Sequence, residues 1–174
     1  KNQKEYLQIV EFNKSNLKKY FRERKITHVF NCIVSYDRNN KSNNLKKIIT
    51  ANIELPILMM ELANKYKSIF INFDSYYSKF KQINKNLAYY TITKKNLNLW
   101  LNYFSKEILI INFIVEHVYG DTKLNNKFIE TTIYELLKNK FDHLDFTTGN
   151  QKRDFIHIDD LTKKIFIIID KYKY

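Results

Sequence analysis

Tyr90 and Lys94 stand four positions apart in the stretch FINFDSYYSKFKQINKNLAYYTITKKNLNLW. On a helix that spacing puts both side chains on one face, with Cβ atoms about 5–6 Å apart. A phenol titrating near pH ~10 is a poor general base at neutral pH. An ammonium beside it favours the phenolate and lowers that value. A hydroxyl at the end of the preceding strand, here Ser75, can hydrogen-bond the substrate oxygen on which charge develops. Together these groups suit acid–base work on a substrate oxygen. The spacing alone is not selective, because Tyr77/Lys81, Tyr119/Lys123 and Tyr134/Lys138 share it in a chain with 13 tyrosines. Context separates them. Tyr77 falls in a turn, Tyr119 precedes a glycine, and Tyr134 lies mid-helix with no Ser-ended strand before it.

The elements that must hold these groups follow from periodicity. A short apolar strand is expected over 68–74, a polar turn carries Ser75, and a long helix begins near Asn86. Upstream, 6–12 reads as a strand and 13–25 as a helix N-capped by Ser15, with Leu17, Tyr20 and Phe21 on one face. The near-continuous apolar run 27–34 reads as a strand covered on both sides, as in a parallel sheet. A polar loop (35–44) leads to a helix over 45–67, where Pro56 predicts a kink or break near Leu55; Leu58, Met59 and Leu62 form its core stripe. Downstream, 107–116 is the most apolar strand and is expected to be central. Gly120 and Asp121 mark its exit turn. A helix over 126–140 carries Phe128, Ile129, Ile133, Leu136 and Leu137 on one side. Short strands over 144–148 and 154–158 flank Gly149, and Asp159 is the expected N-cap of a last helix bearing Leu161, Ile165 and Ile168. Alternating strands and helices make this an α/β fold with a parallel sheet in a single domain, 1–174.

Composition narrows the classes. A chain of 174 residues is long enough for one domain with a real core. No apolar run reaches the length of a membrane span, and the N-terminus lacks a signal-type apolar stretch. Cys32 is the lone cysteine, which rules out an internal disulfide and fits a cytosolic (cytoplasmic) setting. His28, His117, His143 and His157 are scattered without metal-ligand spacing, so no metal is expected. A net charge of +12 would ordinarily suggest nucleic acid. Here Lys is dispersed and accompanied by abundant Asn, Ile, Tyr and Phe, the bias that AT-rich coding imposes, so nucleic acid is not the expected partner.

The stretch 70–100 resembles the Ser–Tyr–Lys region of the extended short-chain dehydrogenase/reductases, NAD(P)-dependent nucleotide-sugar epimerases, dehydratases and reductases. Four further stretches agree in order: THVFNCIV (27–34), ANIELPILMMELA (51–63), Val118-Tyr119-Gly120, and QKRDFIHIDD (151–160), which resembles the family's Arg-Asp-Phe-Ile-His-Val-Asp-Asp signature. The segment Glu116-His117-Val118-Tyr119-Gly120 is similar to the branch containing the CDP-abequose synthases. The resemblance implies a Rossmann-like parallel sheet with flanking helices, with 121–174 starting a substrate-binding lobe. It implies a nicotinamide dinucleotide, NAD or NADP, and a nucleotide-diphosphate sugar as partners, and a possible homodimer through the Tyr helix.

The resemblance also implies roles. Tyr90 would exchange a proton with a sugar hydroxyl or ketone as hydride passes to or from the nicotinamide. Lys94 would hold the nicotinamide ribose and depress the Tyr90 pKa, and Ser75 would hydrogen-bond the reacting sugar oxygen. Asn31 would lie at the cofactor, where the family has His. Arg153 would clamp the diphosphate, and His117 and Lys127 would touch substrate. Asp154 and Asp159 are read as structural, and His157 as a core histidine. Departures stand beside the matches. Ile33 and Val34 replace a small Ala pair at the cofactor, His117 replaces an Asn, and the chain's two glycines, Gly120 and Gly149, do not form an N-terminal dinucleotide turn. Set against the family, the sequence is truncated at the N-terminal β-α-β unit and stops early, so this chain is expected to bind NAD(P) poorly. A non-catalytic remnant or sugar-nucleotide-binding module is the competing expectation.

Overall fold

In the computed structural model, which describes residues 13–37, 40–120, 128–137, 146 and 148–172, the chain divides into two compact units, Lys1–Phe113 and Ile114–Tyr174. The expected strand over 6–12 and Lys127 lie outside the described residues, and so does the expected strand over 144–148 apart from 146 and 148, neither of which is in a strand.

The first unit is laid down on the strand Ile69–Ser75 (β2), whose residues are buried at all but one position. It pairs in parallel with His28–Asn31 (β1), in the register His28↔Ile69 through Asn31↔Asn72. On its other side lies Ile110–Val115 (β3), and the order is β1-β2-β3. This corrects the expectation that 107–116 is central. Among the described residues β2 holds the middle, and β3 alternates between half-buried and exposed with Ile114 on the outside. Apolar content misled because a strand covered on one face alone can still be rich in apolar residues. β1 is also shorter than the apolar run 27–34. The Cys32 N–H turns back onto the Phe30 carbonyl at 3.2 Å, a three-residue turn of the kind that ends strands.

The helices follow the sequence with instructive exceptions. Lys14–Glu23 (α1) is capped by Asn13, not Ser15: the Asn16 N–H donates to Asn13 Oδ1 at 2.8 Å, and Ser15 lies within the first turn. Asn caps at least as well as Ser, so the earlier residue wins. The helix expected over 45–67 is Leu45–Ile49 (α2) and Leu55–Tyr66 (α3) joined through Thr50–Glu54, a π-helical turn. Pro56 falls in the first turn of α3, directly after the wider π turn, which accommodates its ring and its missing N–H. The chain therefore absorbs the proline by widening one turn instead of breaking. Asn84 caps the single 3-10 turn Lys85–Leu87, which runs into the long helix Ala88–Phe104 (α4). Phe21, Met60, Ala63, Phe70, Leu97 and Leu101 belong to one hydrophobic cluster that binds α1, α3 and α4 to the sheet.

In the second unit His117–Tyr119 (β4) pairs in parallel with Phe155–His157 (β5). The helices are Phe128–Leu137 (α5) and Ile158–Ile169 (α6). The cap of α6 is His157, whose ring accepts from the Asp159 N–H at 3.3 Å; Asp159, the expected cap, lies inside the first turn. Gly120 is required by close packing, since a Cβ there would lie 2.6 Å from Ile158 Cγ2. The apolar side expected on α5 is not covered by the described residues: Phe128, Ile133, Leu136 and Leu137 are all exposed.

Phe70, fully enclosed at the middle of the sheet, sets a stability test. Phe70→Ala should lower the unfolding free energy in urea by about 3–5 kcal/mol. Ile92→Ala on the exposed side of α4 should change it by no more than about 0.5 kcal/mol.

Candidate functional site

The carboxyl end of β2 and the first half of α4 bring Ser75, Tyr90 and Lys94 together. Ser75 closes the strand, accepts the Tyr77 N–H on its Oγ, and is almost fully buried. Tyr90, Lys94 and Asn98 follow at successive i+4 steps on α4, forming one stripe. Ser75 lies close enough to the Tyr90 phenol for its hydroxyl to favour the ionised form. The Lys94 ammonium lies 5.9 Å from the Tyr90 ring centroid and donates to the Phe73 carbonyl at 2.9 Å. The three side chains therefore share one locality.

Asp74, only 5% exposed, organises the same place. Its Oδ1 accepts the Ser75 N–H at 2.8 Å. Its Oδ2 accepts from Ser78 Oγ at 2.7 Å and from Asn98 Nδ2 at 3.0 Å. Two tyrosines flank the phenol edge-on: Tyr36 with ring centroids 6.2 Å from Tyr90, and Tyr77 at 6.3 Å.

The electrostatics correct one expectation. Burial pushes the Tyr90 phenol above its ordinary value, the Ser75 hydroxyl pulls it partly back, and the Asp74 charge adds to the rise. Burial also lowers Lys94, while Asp74 supports its charged form. Adjacency of amine and phenol does not depress the tyrosine, because removing both from water costs each its charge.

Asn52 supplies a second fixture. Sitting in the π turn and fully buried, it accepts the Ser35 N–H and donates to the Ser35 carbonyl, both at 2.8 Å, and donates to Thr93 Oγ1 at 3.0 Å. The Thr93 hydroxyl in turn reaches the Tyr89 and Tyr90 carbonyls at 2.9 Å. The loop after β1 is thereby tied to the turn that carries the phenol. Asn31, at the end of β1, is buried and donates to Asn72 Oδ1 at 2.8 Å, while its own Oδ1 lacks a donor. The second unit holds two other expected residues. His117 stands on β4, 5.2 Å from the Phe155 ring, and Arg153 is exposed, donating to the Lys152 carbonyl at 2.9 Å.

Sequence reasoning missed the structural part of Asn52, Asn72, Asn98 and Asn112 and the central place of Asp74. The available signal was positional: Asn98 continues the i+4 series from Tyr90 and Lys94, and Asn72 precedes Asp74 by one strand period. Among the described residues no group of three or more His, Cys, Asp or Glu side chains could hold a metal ion, and no helix is long and apolar enough to cross a membrane.

Comparison with known proteins adds the family context. A family model for the NAD-dependent epimerase/dehydratase family matches residues 3–174. The CDP-abequose synthase of Salmonella typhimurium is 36% identical over 138 residues, covering 77% of this chain and 46% of that protein. The CDP-abequose synthase of Yersinia pseudotuberculosis is 28% identical over 148 residues, covering 81% and 50%. The chain thus spans about half the length of the curated relatives it matches. Among solved structures, the Bordetella bronchiseptica enzyme WbmH in complex with NAD+ superposes with a TM-score of 0.71 at 16% identity, over 91% of this chain and 54% of that one. The UDP-glucose 4-epimerase of Thermotoga maritima with UDP-glucose gives 0.69 at 16% identity, over 87% and 54%. These likenesses establish the Rossmann-like α/β fold.

The raised phenol is directly measurable. Subtracting the ultraviolet titration of Tyr90→Phe from that of the parent should leave a tyrosine ionising on the alkaline side of 10.0. Below pH 10.0 the folded and unfolded chains both keep this proton. Above it the unfolded chain releases its proton first, so the Tyr90 contribution to stability is lost as pH climbs through the raised value. The burial-lowered Lys94 works with opposite sign below 10.5, where stability rises with pH. Tyr90→Phe should therefore flatten the alkaline loss of stability, as followed by thermal melts.

Proposed function

The chain belongs to the NAD-dependent epimerase/dehydratase family, and on that premise we propose that it carries the proton-transfer site of an NAD(P)-dependent epimerase, dehydratase or reductase acting on a nucleotide-diphosphate sugar. The observation that supports this most is the convergence of Ser75, Tyr90 and Lys94 at the carboxyl end of the central strand. In open α/β sheets, ligands lie outside the carboxyl ends of the strands.

The residues present fit a nicotinamide dinucleotide at its ribose end. An ammonium has three N–H donors, of which the Phe73 carbonyl takes one, so Lys94 can also reach ribose hydroxyls beside Tyr90. Asn31 Oδ1, buried without a donor, suits an N–H or O–H of the same ligand. When bound, the nicotinamide supplies a site that accepts hydride from a sugar carbon and returns it.

The chain's own part is the proton. With its pKa raised by burial, Tyr90 rests protonated, the form that can donate to a sugar carbonyl during reduction. Donation leaves a phenolate, which the Ser75 hydroxyl acts to ease; in the opposite direction that phenolate takes up the proton of a sugar hydroxyl and returns Tyr90 to its protonated form. Ser75 Oγ is the group for the reacting sugar oxygen. Arg153 offers a planar fork to the diphosphate, and His117 and Lys127 are further substrate contacts by resemblance. The relatives named as CDP-abequose synthases and a UDP-glucose epimerase support the nucleotide-sugar class. The exposed apolar residues Ile92, Leu99 and Tyr103 of α4 suit a homodimer through that helix. A cytosolic setting agrees with Cys32, an exposed and unpaired thiol.

Turnover of a nucleotide sugar by the intact protein tests this reading. Tyr90→Phe should cut kcat by about 10²–10⁴-fold and leave cofactor binding in place, and an unchanged rate ends the assignment of Tyr90. Lys94→Met should weaken binding of the reduced cofactor, followed by its fluorescence. A parent that binds nucleotide sugar yet shows neither turnover nor cofactor binding would favour the non-catalytic binding module instead.

A further inference from the structure

Four asparagines and one aspartate form a continuous chain of side-chain hydrogen bonds across the first unit. Asn31 Nδ2 on β1 donates to Asn72 Oδ1 on β2 at 2.8 Å, and Asn72 Nδ2 donates to Asn112 Oδ1 on β3 at 2.7 Å. Asn112 Nδ2 donates to Asn98 Oδ1 on α4 at 3.4 Å, and Asn98 Nδ2 closes on Asp74 Oδ2 at 3.0 Å. Asn31 and Asn72 are register partners. Asn72 and Asp74 are one strand period apart and share a face of β2.

The direction of this chain is set from one end. An amide can be turned either way, but an ionised carboxylate only accepts. Asp74 therefore requires the NH2 group of Asn98, which turns the Asn98 carbonyl toward Asn112. The same constraint passes through Asn72 to Asn31. The far end bears the mark of it, since Asn31 Oδ1 is buried and has no donor.

We propose that this polarised ladder positions the reacting groups, with Asn98 as the positioning residue that fixes the Asp74 carboxylate and, through it, Ser75. Asp74 Oδ1 holds the Ser75 N–H. Ser78 Oγ, with a single proton to share, lies 2.7 Å from Asp74 Oδ2 and 2.8 Å from the Ser75 carbonyl. A carboxylate whose orientation is set from α4 thus grips the Ser75 N–H directly and shares the hydroxyl that lies at the Ser75 carbonyl. Rotating that carboxylate would loosen this arrangement. The same charge supports the ammonium form of Lys94, so one orientation serves two members of the site. The catalytic part of this inference rests on the function proposed above, whereas the positioning part stands on the geometry alone.

Amide hydrogen exchange at Ser75 in the intact protein, read by NMR, tests the ladder. The Phe70 N–H, bonded to the Leu109 carbonyl at 3.0 Å, serves as fold control. Asn98→Leu removes the donor at similar volume and should speed Ser75 exchange about tenfold, with Phe70 moving less than about twofold. Asn112→Leu, at an exposed position, cuts the chain one step further back. It should speed Ser75 exchange about threefold, the smaller effect reflecting the longer Asn112–Asn98 bond. Ser75 exchange that is unchanged in Asn98→Leu, or that changes only in step with Phe70, overturns the positioning role. Ser75 exchange unmoved by Asn112→Leu overturns the ladder. In turnover assays Asn98→Leu should lower kcat about tenfold with KM nearly constant, and a rise in KM alone would also overturn the role. A parent without turnover refutes the proposed reaction, while the exchange result decides the positioning on its own.

Discussion

A buried carboxylate is the constraint around which the first unit is arranged. Removing an ionised Asp from water costs several kcal/mol unless hydrogen-bond donors replace the lost hydration. Asp74 meets donors from its own chain neighbour, from the following turn and from α4. Satisfying it fixes where β2 ends, how the Ser75 turn leaves the sheet, and which side of α4 faces that turn. Tyr90 and Lys94 then fall into place, because they precede Asn98 at whole-turn spacing on the same stripe. The geometry of the candidate site is in this sense a by-product of accommodating one charge.

The balance between burial and pairing decides the resting protonation. Both the phenol and the amine are pushed toward their neutral forms by desolvation. Asp74 opposes this at Lys94 and reinforces it at Tyr90, and Ser75 alone among the tyrosine's neighbours acts to ease phenolate formation. Sequence spacing reports proximity but not dielectric environment, which is why an adjacent lysine suggested a depressed phenol and the structure shows a raised one.

The legible parts of the sequence were those governed by local periodicity. The i+4 pair, the strand leading to Ser75 and the α/β alternation follow from patterns within a dozen or so residues, and the structure bears them out with end shifts of a few positions. The illegible parts depend on tertiary choice. That 107–116 would not be the middle strand among the described residues depends on what lies beside it, which apolar content does not report. Pro56 could break, kink or be absorbed, and the π turn that absorbs it is selected by Asn52 reaching Ser35 and Thr93. Two N-caps were misassigned because neighbouring residues could both cap. The four-asparagine chain was invisible because Asn is abundant in this sequence, and abundance hides placement.

The amide ladder has a further consequence for how protons move. Carboxamides do not titrate in the range where proteins work, so the string from Asn31 to Asp74 transmits orientation and dipole but cannot conduct a hydrogen ion. The exchangeable groups nearest Tyr90 are the Ser75 hydroxyl, the Lys94 ammonium and the Asp74 carboxylate; the amides that continue from Asn98 toward Asn31 add rigidity on the sheet side without adding a route for a proton.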